Sequence, residues 1–483
     1  MKMDGSRWQV MLERAFLRSK RALLVLGAGC MVTAVTSAQA DIEKHASAAI
    51  VRLSNYLQID TVNPPGNESR GVEYLGTLLA AAGIPFETVE SAPGRGNLWA
   101  RLEGSPDAEG NKQPGLILLH HIDVVPANRA FWSFEPLSGD VKNGFVYGRG
   151  AIDTKGLGIA QLQAFIALAE SGQKLNRDVL LLATADEEAG GFYGAGWLIE
   201  NRAELFDGMG YVLNEGGSGR AFGDDIAVMV EVTQKVPLWL RLTATGRPGH
   251  GSAPQTQTSV TQLVRGLKRV SETEFPVNVI DPVARMFEGL APYQNGKHRS
   301  AYANLQQAVQ DTNYLLEMKL INPAGHALLR NTCSITVLEG SPKINVVPAQ
   351  AHAELDCRLL PDQDPQEFKA ELARIINDPT IEMSEIMSFS PAVSRTDTPL
   401  FKVLERISDQ EFSAPVIPTV AGGFTDSHFF RDIGITSYGY SPFAYAPGEF
   451  VGVHGNDERL STATLVRGVG VLYQVLENFT VQN

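Results

Sequence analysis

The chain has 483 residues, of which 44% are hydrophobic, and it carries a formal net charge of −13 at pH 7. This length exceeds that of one ordinary domain and can bury a large core, so we expect two domains. The negative charge argues against nucleic acid and anionic membranes as partners.

The first forty residues differ in kind from the rest of the chain. Basic residues precede the apolar run Ala22 to Thr36, and Ala38-Gln39-Ala40 follows it. This order is typical of a secretory signal peptide, and the apolar run is short for a membrane span. We therefore expect residues 1–40 to be removed, and the mature chain from Asp41 onward to be periplasmic or secreted and free of the membrane. A lipoprotein anchored at Cys30 is a weaker alternative, because Gly27 stands where a leucine-like residue is expected.

Helical and strand-like patterns alternate from residue 42 to about residue 236. After a helical segment, Ile42 to Ile59, come apolar strand-like runs that each end in polar residues, such as Gly115 to Leu119 and Val179 to Ala185. Strands that alternate with helices predict an α/β domain with a sheet flanked by helices. In open α/β sheets, ligands bind at the carboxyl ends of the strands.

The pattern changes near Lys235. Pro237 to Gly246 alternates like a strand and precedes an amphipathic helix, a helix-rich stretch from about residue 283 to 330, a predicted hairpin and another helix. These elements predict a smaller α+β domain at residues 237–393. It would be inserted into the larger domain, which comprises residues 41–236 and 394–483.

Two cysteines, Cys333 and Cys357, remain after the predicted cleavage. They lie roughly opposite each other on the two predicted arms of the hairpin around Pro342 to Asn345. A cross-strand disulfide is therefore one hypothesis. Two small buried apolar side chains are the alternative.

Polar clusters follow the predicted strands of the larger domain, and a histidine far downstream joins them. Two histidines with several carboxylates suit zinc and, less selectively, cobalt or manganese. Two neighbouring cations repel each other unless an anion lies between them, so a two-metal site needs a bridging carboxylate. Each cluster alone is more often a loop cap or solvated charge, but their joint occurrence predicts a metal site. The clusters are His121 and Asp123, Asp153, Asp186 to Glu188, Glu215 and His454.

Eight motifs, in this order and spacing, resemble those of the dizinc amidohydrolase family of glutamate carboxypeptidase, aminoacylase, acetylornithine deacetylase and succinyl-diaminopimelate desuccinylase. The similarity extends from about residue 50 to the end of the chain, and the branch of Gly-X carboxypeptidases and secreted N-acyl-amino-acid hydrolases is the most similar. It implies a zinc-peptidase-like catalytic domain with a mixed sheet, in which the inserted α+β domain is a lid and dimerisation domain. The motifs are LLHHIDVVP, YGRGAIDTKG, TADEEAGG, NEGG, GRPGHGSAP, INVVPAQAHAELDCRLLP, GFTDSHFF and HGNDERL.

The resemblance implies two Zn²⁺ ions and five protein ligands. Asp153 would bridge both ions. His121 and Glu215 would bind one ion, and Glu188 and His454 would bind the other. Co²⁺ or Mn²⁺ could replace zinc at such a site.

Two neighbours of His121 have different expected roles. Asp123 lies two residues later, on the same face of a strand. It is similar to the family carboxylate that orients a ligand imidazole. His120 points to the opposite face, and we expect it to pack in the interior.

Glu187 is similar to the general base of the family. The resemblance implies that Glu187 takes a proton from a metal-bridging water, which attacks the amide carbonyl. Glu187 would then protonate the leaving nitrogen. His250 matches the histidine that stabilises the oxyanion and often comes from the partner subunit. A homodimer formed through the lid domain is therefore expected.

Further residues match substrate-binding positions of the family. Asn345 and Arg358 are two of them, and a guanidinium suits a free α-carboxylate. The alternatives are a turn residue for Asn345 and a surface salt bridge for Arg358. Gly423, Thr425 and Ser427 are expected to line the substrate pocket.

These features predict a zinc-dependent hydrolase of an amide bond next to a free α-carboxylate, which acts either as a carboxypeptidase on short peptides or as an N-acyl-amino-acid hydrolase. One alternative is a deacetylase or desuccinylase of a small amino-acid derivative. The signal peptide argues against it, because such intermediates are cytoplasmic. Another alternative is a non-catalytic periplasmic binding protein with the same fold, which the presence of Glu187 and all five ligands disfavours.

Overall fold

The structure is a computed structural model that describes residues 31–482. Residues 1–30, which make up most of the predicted signal peptide, lie outside the described residues, and residues 31–40 belong to the first helix, Met31–Leu57. Within the described part of the chain, we find no helix that combines the length and the apolar character needed to cross a membrane.

Strands and helices alternate through most of the chain. The strands are β1 (Glu87–Glu90), β2 (Gly96–Leu102), β3 (Gln113–His121), β4 (Val141–Lys142), β5 (Phe145–Tyr147), β6 (Arg177–Thr184), β7 (Met209–Asn214), β8 (Gly219–Phe222), β9 (Asp225–Gln234), β10 (Val236–Thr245), β11 (Gly249–His250), β12 (Thr332–Glu339), β13 (Val346–Val347), β14 (Gln350–Leu359), β15 (Ile381–Ser388), β16 (Val416–Ala421), β17 (Thr436–Gly439), β18 (Ala444–Tyr445) and β19 (Arg459–Ser461). The helices are α1 (Met31–Leu57), α2 (Glu68–Ala81), α3 (Lys155–Glu170), α4 (Ala195–Asn201), α5 (Ser259–Glu272), α6 (Asp281–Leu290), α7 (Gly296–Ala303), α8 (Leu305–Ala308), α9 (Thr312–Ile321), α10 (Pro323–Ala327), α11 (Pro365–Ile376), α12 (Pro399–Phe412), α13 (Ser427–Asp432) and α14 (Thr462–Thr480).

A mixed sheet forms the centre of the larger part of the molecule. Its strand order is β1-β2-β6-β3-β7-β17-β9-β8-β18, and β16 pairs with β9 beside this path. Strands β6, β3, β7 and β17 are parallel. Their carboxyl ends therefore meet at one edge of the sheet, which is the edge where open α/β sheets bind ligands.

Strand β3 shows why this sheet is covered on both faces. Leu116 and Leu118 pack into a core that also contains Phe165 of α3, whereas Ile117 and Leu119 pack into a second core on the opposite face. A strand that is buried on both faces needs a continuous apolar run instead of an alternating one. The sequence GLILL supplies that run.

A second sheet has the strand order β12-β14-β10-β15, and its strands are antiparallel. One face carries Leu240 and Leu355, which pack against Leu263 of α5 and Leu372 of α11. The side chains alternate along the strands, so Trp239 and Asp356, which are register partners, lie on the other face. This second face carries polar and aromatic residues of the candidate site.

Cys333 and Cys357 form a disulfide. They are register partners on the adjacent antiparallel strands β12 and β14. The disulfide hypothesis is therefore confirmed for this hairpin, and the bond crosslinks an edge strand of the smaller sheet to its neighbour.

Helices α6 to α10 pack across the junction between the two sheets. Their apolar core includes Leu360, which follows β14, and Val420 of β16. Lys235, the residue between β9 and β10, donates hydrogen bonds from Nζ to the carbonyl oxygens of Ala327 and Arg330, both at 2.8 Å. The helical segment thus contacts elements of both sheets.

Candidate metal centre

Three polar clusters meet where parallel strands end. His121 is the last residue of β3, the Glu187–Glu188 turn follows β6, and Glu215 follows β7. Since β3 lies between β6 and β7, the ends of these strands are adjacent. Asp153, just before α3, and His454, in the loop before β19, approach the same place from other parts of the chain.

Asp153 lies between the two histidines. Its Oδ1 is 3.2 Å from His121 Nε2, and its Oδ2 is 3.2 Å from His454 Nε2. Glu215 Oε1 is 3.6 Å from His121 Nε2, and Glu188 Oε2 is 3.0 Å from His454 Nε2. The five residues that the motifs predict as ligands therefore form two groups, each with one histidine and one glutamate, that share the Asp153 carboxylate.

Glu187 lies beside the first group. Its Oε2 is 4.0 Å from His121 Nε2, and its side chain is buried. The preceding residue, Asp186, has a left-handed backbone with φ of 73°. The tight turn that begins there directs Glu187 toward His121, whereas the adjacent Glu188 contacts His454.

The chemistry of this group of side chains fits bound cations. Burial, together with the nearby charge of Glu215, raises the pKa of Glu187 well above its usual value. Burial and the charge of Asp153 likewise raise the pKa of Glu215. Glu188 Oε1 is buried without a hydrogen-bond partner among the described residues. Positive ions here would relieve the repulsion between the carboxylates and satisfy this oxygen, and imidazole nitrogen and carboxylate oxygen are ligands that zinc accepts.

Asp123 contacts both His121 and the Glu187–Glu188 turn. His121 Nδ1 donates to the backbone carbonyl of Asp123 at 2.9 Å, and it lies 3.5 Å from the Asp123 carboxylate. The carboxylate itself accepts from the backbone N–H groups of Glu187 and Glu188, both at 3.2 Å. The predicted carboxylate contact to the imidazole is therefore the longer one, because β3 ends at His121 and strand alternation does not continue to Asp123. The Nδ1 bond leaves His121 Nε2 free for a metal.

Two residues that no sequence motif indicates support the same turn. Asn63 donates from Nδ2 to Asp123 at 2.8 Å. Arg95 donates from Nη2 to Asp186 at 2.6 Å and to Glu68 at 2.8 Å. Asn63 lies in the loop DTVNPPGNES, whose composition signals a loop but not a contact with the site.

His120 packs on the other face of β3, as strand alternation predicts. It is 0% exposed, and its Nδ1 lies 3.2 Å from Gln161 Oε1 of α3. Burial and the neighbouring His121 lower the pKa of His120 to about 3. His120 is therefore neutral at physiological pH and lies away from the predicted ligands.

Replacing His120 with Gln should make the protein less sensitive to acid. Between pH 3 and the ordinary histidine value of 6.5, the unfolded chain binds a proton that folded His120 does not. The free energy of unfolding therefore falls as pH falls through this window, by about 1.4 kcal/mol per pH unit from this group. Urea unfolding of both proteins across the window measures the difference. Parallel pH dependences for wild type and variant would contradict it.

His250 and Asn345 lie together at the surface of the smaller part of the molecule. β11, which ends at His250, pairs with β13, which begins at Val346. His250 Nδ1 accepts from the backbone N–H of Ser252 at 3.1 Å, and both His250 and Asn345 are exposed. Among the described residues of one chain, no hydrogen bond or ion pair joins either of them to the predicted metal ligands.

Arg358 projects from β14 toward the predicted substrate loop. Its Nε and Nη2 donate to Asp356 at 2.7 and 3.2 Å. Its guanidinium lies 5.7 Å from the Trp239 ring centroid and 5.4 Å from that of Phe424. Its Nη1 is buried and has no hydrogen-bond partner in the described part of the chain. One edge of the guanidinium is therefore fixed, and one nitrogen remains available.

The loop at Phe424 connects this arginine with the metal-ligand edge. Gly423 is exposed, and Thr425 donates from its backbone N–H to Gln234 Oε1 at 3.2 Å. Ser427 Oγ accepts from Asn214 Nδ2 at 3.2 Å, and Asn214 immediately precedes Glu215. The three predicted pocket residues thus lie on one loop and at the start of α13, between Arg358 and the end of β7.

Comparisons with known proteins identify related sequences. The model of the family described as peptidase family M20/M25/M40 matches residues 117–478. The N-fatty-acyl-amino acid synthase/hydrolase PM20D1 of Xenopus tropicalis is 32% identical over 377 residues, which cover 76% of this chain and 73% of that protein. Human aminoacylase-1 is 27% identical over 445 residues, which cover 90% of this chain and 95% of that protein.

Solved structures share the fold. The M20 family metallo-carboxypeptidase Sso-CP2 of Sulfolobus solfataricus superimposes with a TM-score of 0.69 at 20% identity, covering 89% of this chain and 99% of that one. The predicted mixed sheet flanked by helices is thereby confirmed. Since the family model also spans most of the sequence, this chain belongs to peptidase family M20/M25/M40 and is a hydrolytic enzyme.

Proposed function

We propose that this protein is a divalent-metal-dependent hydrolase that cleaves an amide bond next to a free α-carboxylate. N-acyl amino acids are the first substrate class, and C-terminal residues of short peptides are the second. The observation that carries the proposal is the shared Asp153 carboxylate between two histidine–glutamate groups, with Glu187 beside them.

The ligand groups fit two ions, with zinc as the proposed metal and cobalt or manganese as substitutes. His121 and Glu215 would hold one ion, Glu188 and His454 the other, and Asp153 both. When bound, the ions supply Lewis acidity that lowers the pKa of water and polarises a carbonyl oxygen.

Glu187 is placed to move the proton in this reaction. Its burial and the charge of Glu215 favour the protonated form, so its carboxylate accepts a proton readily from the attacking water. The same carboxyl can then donate that proton to the leaving nitrogen. Its neighbour Glu188 contacts His454 instead, so the two adjacent acids have separate tasks.

Arg358 would bind the substrate carboxylate. Asp356 already occupies Nε and Nη2, which fixes the plane of the guanidinium. The buried Nη1 can donate a charge-assisted hydrogen bond to the substrate. Trp239 and Phe424 restrict access of water to this bond.

Aromatic side chains beside the Glu187–Glu188 turn favour an apolar acyl group. Phe192 is 50% exposed, and its ring centroid lies 6.1 Å from that of Phe389 and 6.2 Å from that of Phe429. These rings join a loop after β6 to the segment after β15. The relative named for N-fatty-acyl amino acids supports the same preference.

A metal analysis coupled to a substrate panel tests the function. The panel contains N-acyl amino acids of increasing acyl length, their carboxamide analogues and dipeptides. We expect two metal equivalents, loss of activity with a chelator, recovery on adding Zn²⁺, and selective cleavage of the free-carboxylate compounds. Metal-loaded protein that cleaves none of them would favour the non-catalytic binding protein, and a preference for short acetyl or succinyl groups would favour the deacetylase or desuccinylase.

We further propose that the chain forms a homodimer through the smaller domain. His250 and Asn345 are exposed, and β12 is an edge strand that carries the exposed side chain of Leu338. A second copy would bring its His250 to the metal-ligand edge. Mixing inactive His250→Ala and Glu187→Gln proteins should restore part of the activity, because a mixed dimer contains one complete site. A fully active monomer in sedimentation experiments would refute this assignment.

We also propose a periplasmic or secreted location. The order of basic, apolar and small residues in the first forty positions supports it, and so does the disulfide, since such bonds persist in oxidising compartments. Cell fractionation and amino-terminal sequencing should find a mature chain that begins at Asp41. An uncleaved chain in the cytoplasm would overturn the proposal.

A further inference from the structure

Two loops that carry metal ligands meet at one buried ion pair. Arg149 Nη1 donates to Glu458 Oε2 at 2.7 Å, although the two residues are 309 positions apart. Their side chains are only 3% and 0% exposed. Arg149 lies four residues before Asp153, and Glu458 lies four residues after His454.

Glu458 fixes the backbone that leads to Asp153. Its Oε2 accepts from the N–H of Gly150 at 2.9 Å. Its Oε1 accepts from the N–H groups of Ile152 at 2.7 Å and Asp153 at 3.1 Å. One carboxylate from the His454 loop therefore holds three backbone amides of the Asp153 loop.

Arg149 fixes the opposite loop. Its Nη1 donates to the carbonyl of Gly452 at 3.1 Å, and its Nη2 donates to the carbonyl of Gly455 at 2.6 Å. These carbonyls flank His454, whose backbone has a left-handed φ of 51°. Residues other than glycine rarely adopt this conformation unless their surroundings hold it.

The contacts cross over between the two loops. The residue from the Asp153 loop holds the backbone around His454, and the residue from the His454 loop holds the backbone of Asp153. A buried ion pair contributes little net stability compared with apolar packing. The pairing of β5 with β19 already joins the two segments. The additional contacts therefore set the position of the ligands more than the stability of the fold.

We propose that Arg149 and Glu458 are positioning residues that hold Asp153 and His454 at the separation needed to bind the same metal ion. Through this pair, movement of one ligand loop is coupled to movement of the other. The inference rests on the proposed metal-dependent function, and it concerns metal affinity instead of turnover.

The test compares Zn²⁺ affinity, measured by competition with a chromophoric chelator, and the absorption spectrum of Co²⁺-loaded protein. Glu458→Gln and Arg149→Lys should each weaken metal binding by about 10- to 100-fold, the usual effect of losing a residue that orients metal ligands. The Co²⁺ spectrum should change as well, because the ligand geometry changes. Far-ultraviolet circular dichroism and thermal unfolding monitor the fold.

Asp178→Asn is the matched control. Asp178 also accepts from an arginine, Arg101 at 2.9 Å, and from a backbone N–H, that of Gly104 at 2.7 Å. It lies at the amino end of β6, opposite the metal-ligand edge. This variant should lose stability without losing metal affinity.

A double-mutant comparison separates positioning from general damage. If Arg149 acts through His454, Arg149→Lys should have little effect on the affinity of the ion that remains in a His454→Ala protein. An equal loss in both backgrounds would contradict that route.

The remaining outcomes are distinct. A wild-type protein that binds no divalent metal overturns the proposed function. A wild-type protein that binds metal, with variants that bind it equally well, overturns the positioning role alone. If Glu458→Gln does not fold, Arg149→Lys decides, since it retains the positive charge beside Glu458.

Discussion

Replacing Glu187 with Gln should reduce turnover by about 10²- to 10⁴-fold while the bound metal remains, since this is the usual contribution of general acid–base catalysis. The amide has the shape of the carboxylate but cannot accept the proton. Measurement of kcat together with metal stoichiometry checks the prediction. Retained substrate binding would show that the pocket is intact.

Glu188→Gln is the matched control, because it changes the adjacent residue in the same way. Glu188 contacts His454 at 3.0 Å, so this variant should lose metal. Glu187 also lies close enough to His121 and Glu215 to act as a ligand. Loss of metal from the Glu187→Gln protein would therefore reassign Glu187 as a ligand and leave the base unidentified.

Replacing Arg358 with Ala should lower kcat/KM for substrates with a free α-carboxylate by about 10²- to 10³-fold. Loss of a buried charge-assisted partner costs about 2–5 kcal/mol, and the carboxamide analogues do not use that charge. The ratio of kcat/KM for each acid to that of its carboxamide is the quantity to measure.

Arg241→Ala provides the comparison for this arginine. Arg241 lies on the same sheet and donates to Glu354 at 3.1 Å, but its side chain is exposed. It should leave the ratio unchanged. An equal loss on acids and carboxamides in the Arg358→Ala protein would refute its carboxylate-binding role.

The grouping of metal ligands could be predicted from the sequence because it follows from strand ends. His121 ends one apolar strand, and Glu188 and Glu215 lie shortly after the ends of its two neighbours. Asp153 and His454 were also among the predicted clusters, although their loops come from outside those strands, and the family motifs implied the bridging role of Asp153. The predicted sharing of Asp153 agrees with its two short contacts to histidine nitrogens.

The supports of the site could not be predicted in the same way. Asn63, Arg149 and Glu458 act through hydrogen bonds to loop backbone or to other buried side chains. Such contacts depend on how loops distant in sequence approach each other, and the hydrophobic periodicity of a sequence does not predict loop contacts. For the same reason, the sequence did not predict that His121 Nδ1 lies closer to the backbone carbonyl of Asp123 than to its carboxylate.

The position of helices α6 to α10 could not be predicted from the sequence either. Their helix content was predicted, but an apolar helix face does not identify its partner. The structure shows that the partners include Leu360, which follows a strand of the smaller sheet, and Val420, which lies on a strand of the larger one.

That shared core restricts how far the molecule can open. A rotation that separates the smaller sheet from the larger one must either carry α6 to α10 along or pull Leu360 away from Val420. If the helices do not move with Lys235, its hydrogen bonds to the carbonyl oxygens of Ala327 and Arg330 break as well. Uncovering apolar surface costs about 25 cal/mol per Å². The two sheets can therefore move apart less than two domains that only connecting strands join.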